Sequence, residues 1–224
     1  MAAERAPLFR ERPTAWIAPE GWPFVAAAVG AAALAAAAGP GWLALAVASL
    51  AAFVVAFFRN PPRAVAGGDA DVVSPADGRV IAVDEIDDES GRKGLRIGIF
   101  LSVFDVHVNR APLAGRVVSI ERSGARYLPA YDTRGERENV RLRMELELAD
   151  GRRVAVTQIT GLIARRIVCH PQVGEWLERG ARYGLIRFGS RTDVWLPLGS
   201  RARVRRGDRV RGGSSCIAQL AEPS

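Results

Sequence analysis

The chain has little lysine, histidine or cysteine. Of 31 basic residues only Lys93 is a lysine, and the only histidines are His107 and His170. Any imidazole acid–base work at neutral pH therefore falls to those two. The cysteines, Cys169 and Cys216, stand alone, with no CxxC pair and no His/Cys cluster at metal spacing. That indicates neither a disulfide framework nor a zinc site, and two isolated cysteines read as reduced, buried small residues. Aromatic residues are sparse beyond residue 64, which argues against a nucleic-acid surface of basic side chains interleaved with exposed rings.

What is abundant is arginine, and the net charge is +7. Arginine grips phosphate and carboxylate in a bidentate fork. The balance favours anionic partners such as acidic lipid, although arginine-rich codon usage gives the same excess.

From Trp22 to Phe58 the sequence is almost wholly apolar, in two runs separated by Gly39-Pro40-Gly41. Each run is about 17 residues, at the short end of what spans a bilayer as a helix. Gly-Pro-Gly cannot continue a helix and reads as a tight turn. A second apolar run following at once argues against a cleaved signal peptide. Arg5, Arg10 and Arg12 precede the runs and Arg59 and Arg63 follow them, which puts both flanks on the cytoplasmic side of the cell membrane. Trp16, Trp22, Phe57 and Phe58 sit where an interfacial belt would be. Residues 1–63 are expected to form a transmembrane or membrane-embedded hairpin with its linker, and residues 64–224 a separate domain.

Past the Arg59-Asn60-Pro61-Pro62-Arg63 linker the pattern changes to short β-type runs between Gly, Asp and Pro: 72–86, 95–102, 115–121, 140–159, 193–198 and 215–220. Arg141 to Leu148 alternates, and Ala149-Asp150-Gly151-Arg152 makes a hairpin turn. Val173 to Arg182 is the expected helix, and Tyr127 to Asn139 a mobile charged loop. The fold class is mainly β (α+β): a flattened barrel-like domain with few short helices. Ala76-Asp77-Gly78-Arg79-Val80-Ile81 and Arg206-Gly207-Asp208-Arg209-Val210 echo one another as turn-plus-strand units. Such units occur in the flattened barrels that carry biotin or lipoate, but the carrier lysine is missing.

Four segments stand out in order: Ser74-Pro75-Ala76-Asp77-Gly78, Phe104 to Arg110, Cys169-His170-Pro171, and Phe188-Gly189-Ser190-Arg191. This order resembles the phosphatidylserine decarboxylase family. Its members show Pro-Ala-Asp-Gly after the membrane segment, then Leu-Ser-x-x-Asp-x-His shortly before Pro, then Gly-Ser opening a strand near the C-terminus. Here these are residues 75–78, Leu101 to His107 with Pro112, and Gly189-Ser190 before Val194. The Phe57-Phe58-Arg59-Asn60-Pro61 linker is similar to that of the short bacterial members, and the match runs from about residue 15 to the C-terminus.

The resemblance implies a pyruvoyl-dependent proenzyme that converts phosphatidylserine to phosphatidylethanolamine in phospholipid biosynthesis. Decarboxylation of an amino acid needs an electron sink. Pyridoxal phosphate would need a lysine, and Lys93, beside Gly91-Arg92 and Gly94, is poorly placed in a turn. A pyruvoyl group needs none. Ser190 would attack the Gly189 carbonyl, and ester formation, β-elimination and hydrolysis would leave pyruvoyl at position 190. The products would be a β chain of 1–189 and an α chain of 190–224, associated as a heterodimer. Asp77 and His107 carry over as the carboxylate and base that activate Ser190. Longer bacterial members have a second histidine where this chain has Arg110. That leaves two assignments: His107 serves both maturation and carbanion protonation, or His170 takes one of them. Arg110 could hold the substrate carboxylate or phosphate, or form a structural salt bridge. The Gly213-Ser214 bond is a decoy, since Ser190 and not Ser214 precedes the matching strand.

The competing function is a membrane-tethered, non-enzymatic barrel serving as an adapter. It leaves Asp77, His107 and Gly189-Ser190 as coincidences. Partners expected are membrane phosphatidylserine and the second fragment of the same chain, with no nucleic acid; a homo-oligomer is compatible with the sequence.

Overall fold

An apolar run without charge satisfies its backbone in lipid only as helix, and alanine and leucine favour that state anyway. In the computed structural model, which describes residues 7–9, 15–65, 67–88, 91–129, 133–162, 166–187 and 190–221, the two runs are helices α1 (Trp22–Ala38) and α2 (Gly41–Phe57). The Gly39 N–H closes on the Ala35 carbonyl at 2.9 Å, and Pro40 begins the next helix as its N-cap. At the base of the hairpin Ala18 N donates to Phe58 O at 2.8 Å and Asn60 N to Trp16 O at 2.7 Å. The Phe24 and Phe58 rings stack with centroids 5.4 Å apart. The 20 residues Pro19–Ala38 are long and apolar enough to cross a membrane; one such helix is weak evidence of membrane association.

Two compact units make up the chain: Arg12–Pro62, and Arg63–Ser224 together with Met1–Glu11. Within the second, Trp176 N donates to Pro7 O and Phe9 N to Trp176 O, both at 2.9 Å.

That second unit is mostly β. Its first seven strands are β1 (Asp71–Val73), β2 (Gly78–Asp87), β3 (Lys93–Leu101), β4 (Val108–Arg110), β5 (Gly115–Ser123), β6 (Arg141–Glu147) and β7 (Arg153–Ile159). The others are β8 (Ile167–Cys169), β9 (Trp176–Leu177), β10 (Arg182–Ile186), β11 (Ser190–Pro197), β12 (Arg201–Ala202), β13 (Arg209–Val210) and β14 (Cys216–Gln219). An eight-stranded sheet runs in the order β13-β2-β3-β11-β7-β6-β5-β9. Two three-stranded sheets, β1-β14-β12 and β4-β10-β8, accompany it. The curled half-barrel matches the expected mainly β, flattened-barrel class. Alternation places Ile97, Ile99, Leu101, Met144, Leu146, Val156, Val194 and Leu196 in one buried core. The two echoing segments pair with each other, Arg209 against Arg79 and Val210 against Gly78.

Two local expectations are corrected. Val173 to Arg182 is not a helix: Trp176 and Leu177 form β9 against Arg116 and Gly115, and Arg182 opens β10. Gly174 and Gly180, at φ +97° and +81°, break any helical run there, a conformation glycine adopts freely. Within Tyr127 to Asn139, Thr133–Glu138 is a short helix, α3. Buried Asn139 then staples the segment, accepting from Leu128 N at 2.6 Å and donating to Leu128 O and Thr160 O at 2.8 Å.

Candidate active site

Ser190 is the first residue of β11 and pairs with Leu101 at the end of β3; Phe188 and Gly189 lie outside the described residues. On the other side β11 pairs with β7, Arg191 opposite Ile159 and Thr192 opposite Gln158. Side chains alternate along a strand, so Ser190, Thr192, Val194 and Leu196 share the face turned to the core. Ser190 is fully buried, and its Oγ has no hydrogen-bond partner among the described residues. Leaving a buried hydroxyl unpaired costs about 1–3 kcal/mol, so the position calls for an explanation.

Hydrogen bonds draw the other motif segments toward this strand. Arg110 N and Asn109 Nδ2 donate to Pro75 O at 2.9 and 3.4 Å, which sets β4 against the Ser74–Gly78 turn. Asn109 Nδ2 also lies 3.3 Å from Thr192 Oγ1, and Gln158 Nε2 donates to Asn109 Oδ1 at 2.8 Å. Asn109, Gln158 and Thr192 are all fully buried. The motif segments contain Asn109 without giving it a role, and Gln158 and Thr192 lie outside them. The available signal is that polar side chains occupy inward positions of otherwise apolar strands.

His107 is buried immediately before β4. Its Nδ1 lies 2.9 Å from the Asp105 carbonyl oxygen. A carbonyl can only accept, so Nδ1 carries the proton, and it is Nε2 that gains or loses one when the ring changes charge. The backbone thus sets the tautomer that a carboxylate sets in a hydrolase triad. The Asp105 side chain holds the turn itself, Oδ2 accepting from Ser102 N and Oγ, each at 2.8 Å.

Asp77 is tied from two sides. Arg63 donates to Oδ2 and Gly212 N to Oδ1, both at 2.7 Å. Burial nevertheless raises its pKa above the ordinary 3.8, outweighing the Gly212 N–H and Arg63, and the charge of Asp105 pushes the same way.

Arg110 is buried and donates to Gly180 O at 3.0 Å. Along β4 it points away from the face on which Asn109 meets Thr192. His170 follows β8, with its N–H on Tyr183 O at 2.8 Å, whereas Ile186 N approaches His107 O. The two histidines therefore sit three residues apart along β10, about 10 Å at strand rise. Gly213 N donates to Ser74 O and Ser214 N to Arg211 O, at 2.8 and 3.1 Å, so the Gly213-Ser214 bond lies in a closed turn beside Asp77. Among the described residues no cluster of His, Cys, Asp or Glu is placed to hold a metal ion.

A model of the phosphatidylserine decarboxylase family matches residues 50–218. The phosphatidylserine decarboxylase proenzyme of Symbiobacterium thermophilum is 49% identical over 209 residues, covering 92% of this chain and 96% of its own. That of Aromatoleum aromaticum is 47% identical over 206 residues (91% and 95%), and that of Burkholderia ambifaria 44% over 213 (92% and 97%). By that family model and these relatives, the chain belongs to the phosphatidylserine decarboxylase family.

Proposed function

We propose that this enzyme decarboxylates phosphatidylserine at the cytoplasmic face of the cell membrane, using a pyruvoyl group made from Ser190 by cleavage of the Gly189-Ser190 bond. The observation that carries the proposal is the buried Ser190 hydroxyl without a partner at the mouth of β11. An ordinary core serine donates to a carbonyl; one kept unpaired is available for attack.

His107 Nε2 receives the Oγ proton as the oxygen adds to the Gly189 carbonyl carbon, and the C–N bond to Ser190 breaks in favour of an ester. Removal of the Ser190 α-proton then expels the Gly189 carboxylate as the end of the β chain. Water replaces the nitrogen of the dehydroalanine left behind, ammonia departs, and a ketone remains at position 190. Asp77 favours the imidazolium that His107 becomes. When formed, the pyruvoyl group supplies the electron sink for decarboxylation. Loss of carbon dioxide leaves a carbanion that must be protonated, a role for His107 or His170. Arg110 and His170 are the substrate-side candidates, with KM as the readout of their substitution.

The cut does not free the new chain. β11 lies between β3 and β7, β13 against β2 and β14 against β1, so the α chain stays hydrogen-bonded into sheets built by the β chain.

The test is a denaturing gel and intact masses of wild type and Ser190→Ala. Wild type should give fragments 1–189 and 190–224, the latter with a blocked, ketone-bearing N-terminus, and the variant a single chain. One chain in both, or cleavage at Ser214, defeats the assignment.

A further inference from the structure

Phosphatidylserine is rich in hydrogen-bond acceptors and poor in donors. Its ester carbonyls, phosphodiester and carboxylate only accept at neutral pH, and its ammonium is the one group that donates. A buried acceptor without a donor, on the sheet face that carries Ser190, is therefore matched to that amine and to nothing else on the lipid. Gln158 provides one. It is fully buried, and its Oε1 has no hydrogen-bond partner among the described residues.

Which way round an amide points follows from its hydrogen-bond neighbours. The Pro75 carbonyl can only accept, so the end of Asn109 facing it at 3.4 Å is Nδ2, which also reaches Thr192 Oγ1 at 3.3 Å. Asn109 then turns Oδ1 to Gln158, whose Nε2 donates to it at 2.8 Å and meets the Val168 carbonyl at 3.4 Å. Both amide hydrogens of Gln158 are thereby engaged, and Oε1 is the end left open. Gln158 stands opposite Thr192, two residues along β11 from Ser190 and on the same face. Such diagonal neighbours lie about 7–8 Å apart, within reach of a long side chain. Other unpartnered polar atoms do not match it. Arg96 Nε and Trp195 Nε1 are donors on the opposite face of the sheet, and the Tyr183 hydroxyl can donate as well as accept.

We propose that Gln158 Oε1 is the subsite for the amine of the lipid substrate, with Asn109 as the residue that aims it; this rests on the function proposed above. A neutral amide oxygen suits the task better than a carboxylate. It accepts an N–H from the ammonium or from the free amine, whereas a carboxylate would hold the nitrogen in its charged form. Only the free amine has a lone pair with which to attack a ketone. The substrate carboxylate, itself an acceptor, is repelled from the same point, so Gln158 also sets which way round the serine headgroup enters. Cleavage would set free a second amine, that of residue 190 before it departs as ammonia.

The test uses the full protein after borohydride treatment, which reduces a ketone at position 190 to an alcohol so that no covalent bond to an amine can form. Titration calorimetry compares two short-chain, monomeric lipids that differ only in the amine, phosphatidylethanolamine and phosphatidylethanol. Wild type should prefer the amine-bearing lipid, and Gln158→Met should lower that preference about tenfold, the effect of one hydrogen bond to a charged group. A role confined to packing would weaken both lipids alike. An unchanged preference, as from an oxygen satisfied by water alone, overturns the proposal. Gln158→Glu, a charged acceptor at the same point, should raise the preference; no rise there overturns the proposal too, and decides it should Gln158→Met fail to fold. Denaturing gels follow cleavage in the same variants. Slowed cleavage with the lipid preference intact assigns the oxygen to the amine of residue 190 and overturns the proposal. If wild type is never cleaved, the pyruvoyl function falls, while the lipid preference still decides the role of Gln158.

Discussion

Arg191 and Asp193 form a bidentate ion pair on the face of β11 opposite Ser190, Nε to Oδ1 at 2.5 Å and Nη2 to Oδ2 at 2.8 Å. Both are buried. Gly98, opposite Asp193, leaves the room: a Cβ there would stand 2.9 Å from both Arg191 Nη2 and Asp193 Oδ1. A one-residue slip of β11 would turn Arg191 into the apolar core and Ser190 out of it. The pair thus specifies the register that presents the serine. Asp193→Leu takes the carboxylate away from a buried guanidinium and should cost about 3–5 kcal/mol, most of it regained in Arg191→Met/Asp193→Leu. Urea unfolding in the uncleaved Ser190→Ala background measures both.

Removing the proposed base should stall the proposed maturation without unfolding the chain. His107→Ala is expected to slow formation of the 1–189 fragment by about 10²–10⁴-fold, the usual worth of a positioned base. A time course on denaturing gels reads it. Cleavage at the wild-type rate would transfer the role to another residue.

For Asp77 the sign of the pH effect follows from its raised pKa. Because the folded value lies above the ordinary 3.8, the protonated carboxyl favours folding and that contribution is lost as pH rises through the folded value. Asp77→Asn, uncharged throughout, should gain stability relative to wild type as pH climbs from 3.8 toward neutrality, offset by the lost Arg63 pair. Thermal melts across that range show it as a changed slope. A constant difference between the two proteins at every pH would contradict a raised Asp77 pKa.

Burial pushes the Cys169 thiol up to about 12. At pH 8 roughly one molecule in ten thousand then carries the thiolate that reacts. Iodoacetamide on the folded protein should leave Cys169 unmodified by intact mass and activity undiminished. Rapid alkylation there would show a more open site.

The hairpin was legible because two charge-free runs and Gly39-Pro40-Gly41 allow little else. Strict alternation did the same for β6 and β7 around Gly151. The short strands were not legible. β4, β8, β9 and β10 have two to five residues each, and partners distant in sequence stabilise them more than their own composition does. Trp176 and Leu177 carry no period, so the segment could be taken for helix. The motif residues were visible one by one, but their partners were not. Asp77 is held by Gly212, 135 positions away, and the His107 tautomer by a backbone carbonyl, which no side-chain pattern encodes.

Cleavage before Ser190, as proposed, would leave β11 between two strands of the other fragment, and that would have a thermodynamic consequence. Before cleavage, a melted molecule can refold by itself, at a rate indifferent to dilution. After cleavage, recovery requires two separate polypeptides to find one another, so it becomes second order and fades as the enzyme is diluted. Heat damage that the precursor repairs alone becomes, for the processed form, a matter of how closely the two pieces are kept together.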